Sequence, residues 1–194
     1  MKYISISGAV AAGKTTLLGR LMEHYGSRAG FREERPQDNP FIREYYSDSS
    51  RWSFHSQMTF LALYFDDEGW LRGGYDYYFY DRCLIENLVI AKYREETGSL
   101  TADEYAVIEK MAKGIERLMP PVDKYIYIRA GVDTLLEHAH SRGRDYEAGI
   151  DRSYAEHQNR LYEAWVAALP PEKVLIVDAD REYDLNDIVS FIEA

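Results

Sequence analysis

The sequence has little of what marks a secreted, membrane-spanning or nucleic-acid-binding protein. It contains one cysteine, Cys83, in 194 residues, and one cysteine cannot form an internal disulfide, which favours a reducing compartment. No apolar run has the length of a membrane span, and the N-terminal apolar stretch is too short for a signal peptide. Lys and Arg form no run, and the net charge is −10, which argues against a duplex or an anionic membrane as partner. We therefore predict a cytoplasmic protein with no nucleic-acid or membrane partner.

The length of the chain and the order of its apolar segments are those of a single α/β domain. With 194 residues, the chain is shorter than the ~250 residues beyond which chains divide into domains, so we predict a single domain over 1–194. Short apolar stretches alternate with helical patterns, and strands separated by helices predict a parallel sheet with helices on both faces. The predicted strands are 2–7, 30–34, 75–80, 123–129 and 173–177. The predicted helices are 14–25, 41–46, 51–71, 84–94, 101–118, 132–141, 152–169 and 184–192.

A glycine-rich segment after the first predicted strand carries a complete phosphate-binding motif. Residues 8–15 read Gly-Ala-Val-Ala-Ala-Gly-Lys-Thr, which matches GxxxxGK[ST]. In this motif backbone N–H groups surround the β-phosphate, the lysine reaches the β- and γ-phosphates, and the final hydroxyl ligates Mg²⁺. The sequence therefore predicts a nucleoside triphosphate site with Lys14 as a catalytic cation and Thr15 as a metal ligand. The predicted nucleotide contacts are Gly8, Ala9, Val10, Ala11, Ala12, Gly13, Lys14, Thr15 and Thr16.

Polar residues at the ends of two later strands suggest an acceptor site. A phosphate-binding loop alone does not separate a kinase from a GTPase, a motor or a binding module. Glu34 ends the second predicted strand, where a carboxylate can accept the proton of an attacking hydroxyl, although a solvated loop acid has the same appearance. Asp81 and Arg82 follow the third strand and form either a functional pair or a buried structural one.

Two further groups of residues are suited to ligand binding. The amide of Gln57, on a predicted helix, offers a donor and an acceptor for a base edge, or it lies on the surface. Arg142 and Arg144 stand in a polar loop, where two guanidinium groups can neutralise a transferring phosphoryl group or can simply be solvated.

Taken in order and spacing, four segments resemble those of the deoxynucleoside kinase family. They are the phosphate-binding loop, residues 52–57, the Asp81-Arg82 pair and residues 142–147, and residues 38–41 look like the bacterial branch. The resemblance covers nearly the whole chain. It implies a P-loop kinase fold, with a five-stranded parallel sheet, helices on both faces and a short arginine-rich lid at about 142–150, usually in a homodimer. It also implies phosphorylation of the 5′-hydroxyl of a deoxynucleoside by ATP and Mg²⁺.

The resemblance implies roles for the acceptor-side residues. Glu34 corresponds to the general base for the 5′-hydroxyl, with Glu33 beside it as the alternative, although Arg35 occupies the slot in which the family usually has proline. The acid of the strand-end pair, Asp81, corresponds to a residue near Mg²⁺. Arg82 corresponds to a contact of the 5′-oxygen and the catalytic carboxylate.

The remaining contacts are implied in the same way. Gln57 corresponds to the residue that reads the base, while Tyr46 and Glu147 correspond to contacts of the 3′-hydroxyl. Arg142 and Arg144 correspond to phosphate ligands of the lid.

The base pocket departs from the family pattern. Tyr64 and Asn87 stand where an Arg and an Asp often complete the pocket, so the preferred base stays open, and the bacterial character of the chain favours a purine. Asn87 is included among the predicted substrate contacts. Two rival functions remain: a nucleoside monophosphate kinase of the thymidylate type, and a nucleotide-binding regulatory module.

Overall fold

Five parallel strands form the centre of the protein, which is represented by a computed structural model that describes residues 1–65, 73–144 and 149–194. The strands lie in the order β2-β3-β1-β4-β5, and every pair is parallel. This confirms the predicted five-stranded parallel sheet. The carboxyl ends of β1 and β3 are neighbours, so the loops that follow them meet at one edge. The strands are β1 (Lys2–Ser7), β2 (Ala29–Arg32), β3 (Tyr77–Asp81), β4 (Lys124–Arg129) and β5 (Val174–Asp178).

Eight α-helices connect and cover the strands within the described ranges. None of the helices in those ranges is long and apolar enough to cross a lipid bilayer. The helices are α1 (Lys14–Tyr25), α2 (Ile42–Ser47), α3 (Ser49–Ala62), α4 (Asn87–Glu96), α5 (Ala102–Glu116), α6 (Val132–Arg142), α7 (Arg152–Ala167) and α8 (Leu185–Glu193).

Burial of the central strands shows that helices cover both faces of the sheet. Successive side chains of a strand point to opposite faces, yet Ile4, Ser5, Ile6 and Ser7 of β1 are all fully buried. The two buried serine hydroxyls hydrogen-bond each other at 2.8 Å, which satisfies groups that are costly to bury alone. All five residues of β3 are buried as well.

Two hydrophobic clusters hold the layers together. The larger one joins the sheet to α1, α7 and α8 through residues such as Leu17, Ile126 and Tyr162. The smaller one joins α3, α4 and α5 through residues that include Leu61 and Ile108. The second cluster fixes α3 and α4 beside the carboxyl end of β3, and this arrangement leaves a cavity between these helices and the phosphate-binding loop.

Most predicted element boundaries agree with the structure to within three residues. The bounds of α1 are those predicted, and the capping box of Thr101 and Glu104 at the start of α5 is present. The helix predicted over 51–71 is wrong in extent, since α3 ends at Ala62. Beyond it, the N–H groups of Tyr64 and Phe65 bond to carbonyls only three residues earlier, which tightens the last turn. Residues 66–71 lie outside the described ranges.

Candidate active site

The loop after β1 is curled by three residues with positive φ angles. Gly8 has φ 148°, Ala11 66° and Gly13 98°. A Cβ added to Gly8 would lie 2.6 Å from the Ile128 carbonyl oxygen of β4, so glycine is required by both conformation and space. Helix α1 begins at Lys14 directly after this loop, which gives the strand, loop and helix context that the phosphate-binding motif needs.

Lys14 is a buried cation at the start of α1. Its Nζ donates to the carbonyl oxygens of Gly8 at 2.9 Å and Ala9 at 2.8 Å. Burial, followed by the positive charge of Arg82, lowers the pKa of Lys14 to about 8. Because the positive end of the helix dipole lies at the same point, an anion is strongly favoured there.

A cavity of about 360 Å³, here called the phosphate cavity, lies beside this loop. The two arginines predicted as phosphate ligands form part of its wall. Arg142 is the last residue of α6 and not part of a loop, whereas Arg144 follows the left-handed Gly143 that ends the helix. His138 Nδ1 lies 3.0 Å from the Ala11 carbonyl oxygen, which ties α6 to the loop. Glu147, predicted to bind the sugar, lies outside the described residues. The cavity is lined by Ala11, Gly13, Lys14, Thr15, Thr16, His138, Ser141, Arg142 and Arg144.

The two residues predicted to bind Mg²⁺ lie side by side. Thr15 Oγ1 donates to Asp81 Oδ2 at 3.3 Å, and Asp81 Oδ1 is buried without a partner in the described part of the chain. Burial raises the pKa of Asp81, and the charge of Lys14 opposes that rise. A hydroxyl and a carboxylate fit Mg²⁺, which prefers oxygen ligands and usually takes one or two protein groups together with substrate phosphates.

Glu34, and not its neighbour Glu33, reaches the active site. Arg82 Nε donates to Glu34 Oε2 at 3.0 Å, with the arginine side chain 3% exposed and the glutamate 19%, whereas Glu33 is exposed. Strand β2 ends at Arg32 and not at residue 34 as predicted, which places Glu34 in a loop that bends toward β3. The pair thus sets a carboxylate beside the phosphate-binding loop, as a general base requires.

Arg82 adopts a strained backbone conformation that aims its side chain at Glu34. Its φ angle is 73°, a conformation that is uncommon outside glycine and frequent at functional sites. The Arg82 N–H bonds the Ile6 carbonyl oxygen at 3.1 Å, which fixes the turn against β1. Burial on its own would lower the pKa of Arg82, but Glu34, Tyr162 and Glu86 raise it well above its ordinary value.

A second cavity, here called the acceptor cavity, adjoins the phosphate cavity and lies between α2, α3 and α4. Lys14, Thr15, Arg142 and Arg144 line both cavities, so a group bound in one meets the phosphates bound in the other. Tyr46, Glu34 and Arg82 line the acceptor cavity as predicted. Its walls are Val10, Ala11, Lys14, Thr15, Glu34, Pro36, Ile42, Tyr45, Tyr46, Phe60, Asp81, Arg82, Ile90, Tyr93, Arg94, Arg142, Arg144 and Tyr154.

The predicted base-reading residues lie behind this wall. Gln57 is fully buried, and its Nε2 donates to the Asn87 carbonyl oxygen at 3.3 Å. Asn87 Nδ2 donates to the Tyr64 hydroxyl at 3.3 Å and to the Leu84 carbonyl oxygen at 3.0 Å. The Tyr64 hydroxyl in turn donates to the Arg82 carbonyl oxygen at 2.8 Å. A neutral network therefore stands where the resemblance indicates that the family often has an Arg and an Asp, and direct contact of Asn87 with substrate stays a prediction.

Comparison with known proteins decides the family. The family model described as deoxynucleoside kinase matches residues 4–193, which is nearly the whole chain. The chain belongs to the deoxynucleoside kinase family. It is therefore a kinase, and the predicted membership is confirmed. Neither rival function, the thymidylate-type monophosphate kinase nor the regulatory module, is favoured by this finding.

Individual relatives resemble this deoxynucleoside kinase over almost their full length. A deoxyguanosine kinase of Bacillus subtilis is 30% identical over 203 residues, covering 95% of this chain and 90% of that protein. A deoxyadenosine/deoxycytidine kinase of the same species is 29% identical over 196 residues, covering 98% and 89%. The structure of deoxyadenosine kinase from M. mycoides with bound dATP superposes with a TM-score of 0.85 at 22% identity, covering 100% of both chains, and this likeness confirms the fold.

Two residues that support the active site of this kinase, Glu86 and Tyr162, are not among those predicted from the sequence. Glu86 is fully buried, and its Oε1 accepts from the Gly8 N–H at 3.2 Å and the Tyr162 hydroxyl at 2.8 Å. Tyr162 also bonds Arg82, and Glu86 lies 3.6 Å from the same guanidinium. No local sequence signal marks them, because Arg82, with φ 73°, is not helical and the rule for helical residues four apart does not apply between it and Glu86. These contacts join the phosphate-binding loop, β3 and α7 behind the Arg82–Glu34 pair.

Tyr162→Phe is expected to lower kcat of this kinase roughly 10-fold, the effect of one buried group losing its hydrogen bond. The substitution keeps the packed ring but removes a hydrogen-bonding partner of both Arg82 and Glu86. Steady-state kcat and KM, with thermal melting, measure the effect.

Tyr127→Phe is the matched control for this variant. Its ring lies 6.1 Å from that of Tyr162, but its hydroxyl bonds Glu163 at 3.2 Å and not the Arg82 network. Equal kcat in the two variants would mean that Tyr162 serves packing alone.

Proposed function

We propose that this kinase transfers the γ-phosphoryl group of ATP to the 5′-hydroxyl of a deoxynucleoside, with purine deoxynucleosides preferred, for nucleotide salvage in the cytoplasm. The observation that carries the proposal is the contact between Glu34 and Arg82 on the wall of a cavity that also includes Lys14 and Thr15. A carboxylate base placed against a phosphate-binding loop suits a hydroxyl acceptor. The Bacillus subtilis relatives, named for deoxyguanosine and for deoxyadenosine and deoxycytidine, support this substrate class.

ATP is proposed to bind through the loop at residues 8–16. Backbone N–H groups of the loop and the first turn of α1 hold the β-phosphate, while Lys14 reaches the β- and γ-phosphates. Thr15 and Asp81 are proposed to hold Mg²⁺, directly or through its water ligands. When bound there, the metal would neutralise negative charge on the phosphates of the nucleotide.

The deoxynucleoside is proposed to enter the acceptor cavity with its sugar toward the phosphates. Tyr46 and Glu147 hold the 3′-hydroxyl, and Gln57 reads the base, with Asn87 completing the base pocket. Arg82 contacts the 5′-oxygen and keeps Glu34 in the orientation that accepts the proton.

Transfer then follows from the charges around the γ-phosphorus. The 5′-oxygen forms a bond to phosphorus as its proton passes to Glu34, and the bond to the bridging oxygen breaks to leave ADP. Lys14, Arg82, Arg142 and Arg144 stabilise the negative charge on the transferring group, the main catalytic task in phosphoryl transfer.

An acceptor panel tests this function. The protein is incubated with MgATP and each of the four deoxynucleosides, their 5′-monophosphates, the ribonucleosides, or no acceptor, and ADP formation is followed. We expect ADP with one or more deoxynucleosides, and little with monophosphates or without acceptor. Transfer only to monophosphates would establish the thymidylate-type function instead, and tight nucleotide binding without any transfer would establish the regulatory module.

The kinase is also proposed to act as a homodimer, as the family resemblance implies. Val107 and Met111, which lie four residues apart on α5, are 47% and 44% exposed, and Leu118, two residues beyond the helix, is 73% exposed. An apolar stripe of this kind suits an interface between two copies of one chain.

Met111→Lys is expected to shift the protein from dimer to monomer in sedimentation velocity, because it places a charge in the stripe. Ile176→Lys is the control, since Ile176 is similarly exposed at 42% but lies on the edge strand β5. A change from dimer to monomer in Ile176→Lys but not in Met111→Lys would show that the interface lies at the sheet edge instead.

A further inference from the structure

Arg94 is a buried cation of the acceptor cavity to which the reaction described above gives no role. It lies on α4, is 3% exposed and lines the cavity. Its guanidinium carbon lies 3.8 Å from the ring centroid of Tyr45, and its Nη1 donates to the Ser53 carbonyl oxygen at 3.1 Å. Its Nε is buried without a partner in the described ranges. A buried charged donor is costly to leave unpaired, so this nitrogen is suited to a ligand.

A buried acceptor lies behind the same helical wall. Gln57 directs Nε2 to the Asn87 carbonyl oxygen, while its Oε1 has no partner among the described residues. Ser53, which anchors Arg94, precedes Gln57 by one turn of α3, and residues four apart lie on one helix face. The α3–α4 wall thus carries a donor-only guanidinium, and a buried amide oxygen without a partner among the described residues lies behind it.

We propose that Arg94 is a specificity-determining residue that donates to the 6-carbonyl oxygen of a purine base while Gln57 Oε1 accepts the neighbouring N1–H. The kinase accordingly selects 6-oxopurine deoxynucleosides over 6-aminopurine ones. This inference rests on the proposed function, because it assigns the base of the same acceptor. In DNA recognition, arginine pairs with O6 and N7 of guanine, whereas a glutamine without an arginine beside it can pair with adenine.

The chemistry of the two bases explains the selection. A 6-oxopurine presents an acceptor and a donor side by side, which satisfies both Arg94 and Gln57, and the bond to the guanidinium is charge-assisted. A 6-aminopurine carries an amino group at position 6, which donates hydrogen bonds as the guanidinium of Arg94 does. The only acceptors that such a base can offer to Arg94 are its ring nitrogens. Arg94 does not serve the phosphates, because it is held by α3 and is absent from the walls of the phosphate cavity.

The ratio of kcat/KM for deoxyinosine to that for deoxyadenosine measures this role. The two substrates differ only in the groups at positions 1 and 6. Wild type is expected to favour deoxyinosine roughly 10- to 100-fold, the range for one hydrogen bond to a charged group. Arg94→Met, which keeps the length but removes every donor, is expected to bring the ratio to within about 3-fold of unity.

Two further variants keep the test decisive. Arg94→Lys retains a cation able to bond the Ser53 carbonyl oxygen but lacks Nε, so we expect it to fold and to lose the preference even if Arg94→Met is unstable. Arg32→Met is the matched control, since Arg32 also stacks on a tyrosine, Tyr64, at 3.7 Å and has a buried Nη1 without a partner in the described residues. Arg32 does not line the cavity, and its variant should keep the wild-type ratio.

Each outcome separates the inference from the function on which it rests. Three results would overturn the role of Arg94 while leaving a deoxynucleoside kinase. They are a wild-type preference for deoxyadenosine, an unchanged kcat/KM ratio in both Arg94 variants, or loss of the deoxyinosine preference only in Arg32→Met. Failure to phosphorylate any deoxynucleoside, with nucleotide binding intact, would overturn the proposed function itself.

Discussion

Glu34→Gln is expected to lower kcat by ~100-fold or more, the range for loss of a general base. In the wild-type protein Arg82 Nε lies 3.0 Å from the Glu34 carboxylate. The amide of the variant keeps the shape of the side chain and an oxygen that can accept this hydrogen bond. It cannot take the proton of the 5′-hydroxyl. KM for ATP should change little, because Glu34 lies on the acceptor side. Steady-state rates with saturating MgATP, together with nucleotide-binding titrations, measure both quantities.

Glu33→Gln is the matched control for this prediction. It makes the same chemical change at the neighbouring position, where the side chain is exposed. We expect rates close to wild type. A large loss in Glu33→Gln together with normal turnover in Glu34→Gln would reverse the assignment of the base.

Arg82→Lys is expected to lower kcat about 10²- to 10³-fold, the cost of removing a preorganised group that stabilises transition-state charge. Lysine keeps the positive charge, but it lacks the planar fork with which Arg82 contacts Glu34, Tyr162 and Glu86 at once. Its flexible stem would also leave the Glu34 carboxylate less firmly oriented. Turnover measured beside thermal melting separates the catalytic effect from any loss of folding.

Arg28→Lys provides the comparison at an exposed ion pair. Arg28 Nε lies 2.8 Å from Asp76, with both side chains more than half exposed, and such pairs contribute little. Near-normal activity is expected there. If Arg82→Lys were equally harmless, the strained turn after β3 would have no role in the chemistry.

The fold and the phosphate-binding loop are predictable from the sequence because their signals are local. The motif at residues 8–15 requires glycine at fixed positions, and the structure accounts for this at Gly8, where the Ile128 carbonyl oxygen leaves no room for a Cβ. The alternation of strands and helices is likewise a short-range pattern. The parallel sheet follows from that alternation, whereas the strand order, which sets β1 beside β3 and Thr15 beside Asp81, is known from the structure.

The support around the active site was not predictable, because it depends on contacts between distant segments. Tyr162 reaches Glu86 across 76 positions of sequence, and no local pattern marks either residue. Arg94 has the appearance of a surface residue in its helix until its packing against Tyr45 and Ser53 is known. The base pocket is the extreme case, because Tyr64 and Asn87 replace a charged pair with a neutral network whose partners only the structure identifies.

The most direct test of the central claim is to identify the product formed from MgATP and deoxyguanosine, by mass and by ³¹P NMR, with 2′,5′-dideoxyguanosine as the comparison compound. We predict deoxyguanosine 5′-monophosphate together with an equal amount of ADP. We predict no phosphorylated product from the compound that lacks the 5′-hydroxyl. Phosphate attached at the 3′-hydroxyl, or phosphorylation of the comparison compound, would contradict the assignment of Glu34, Arg82 and the phosphate-binding loop to 5′-hydroxyl transfer.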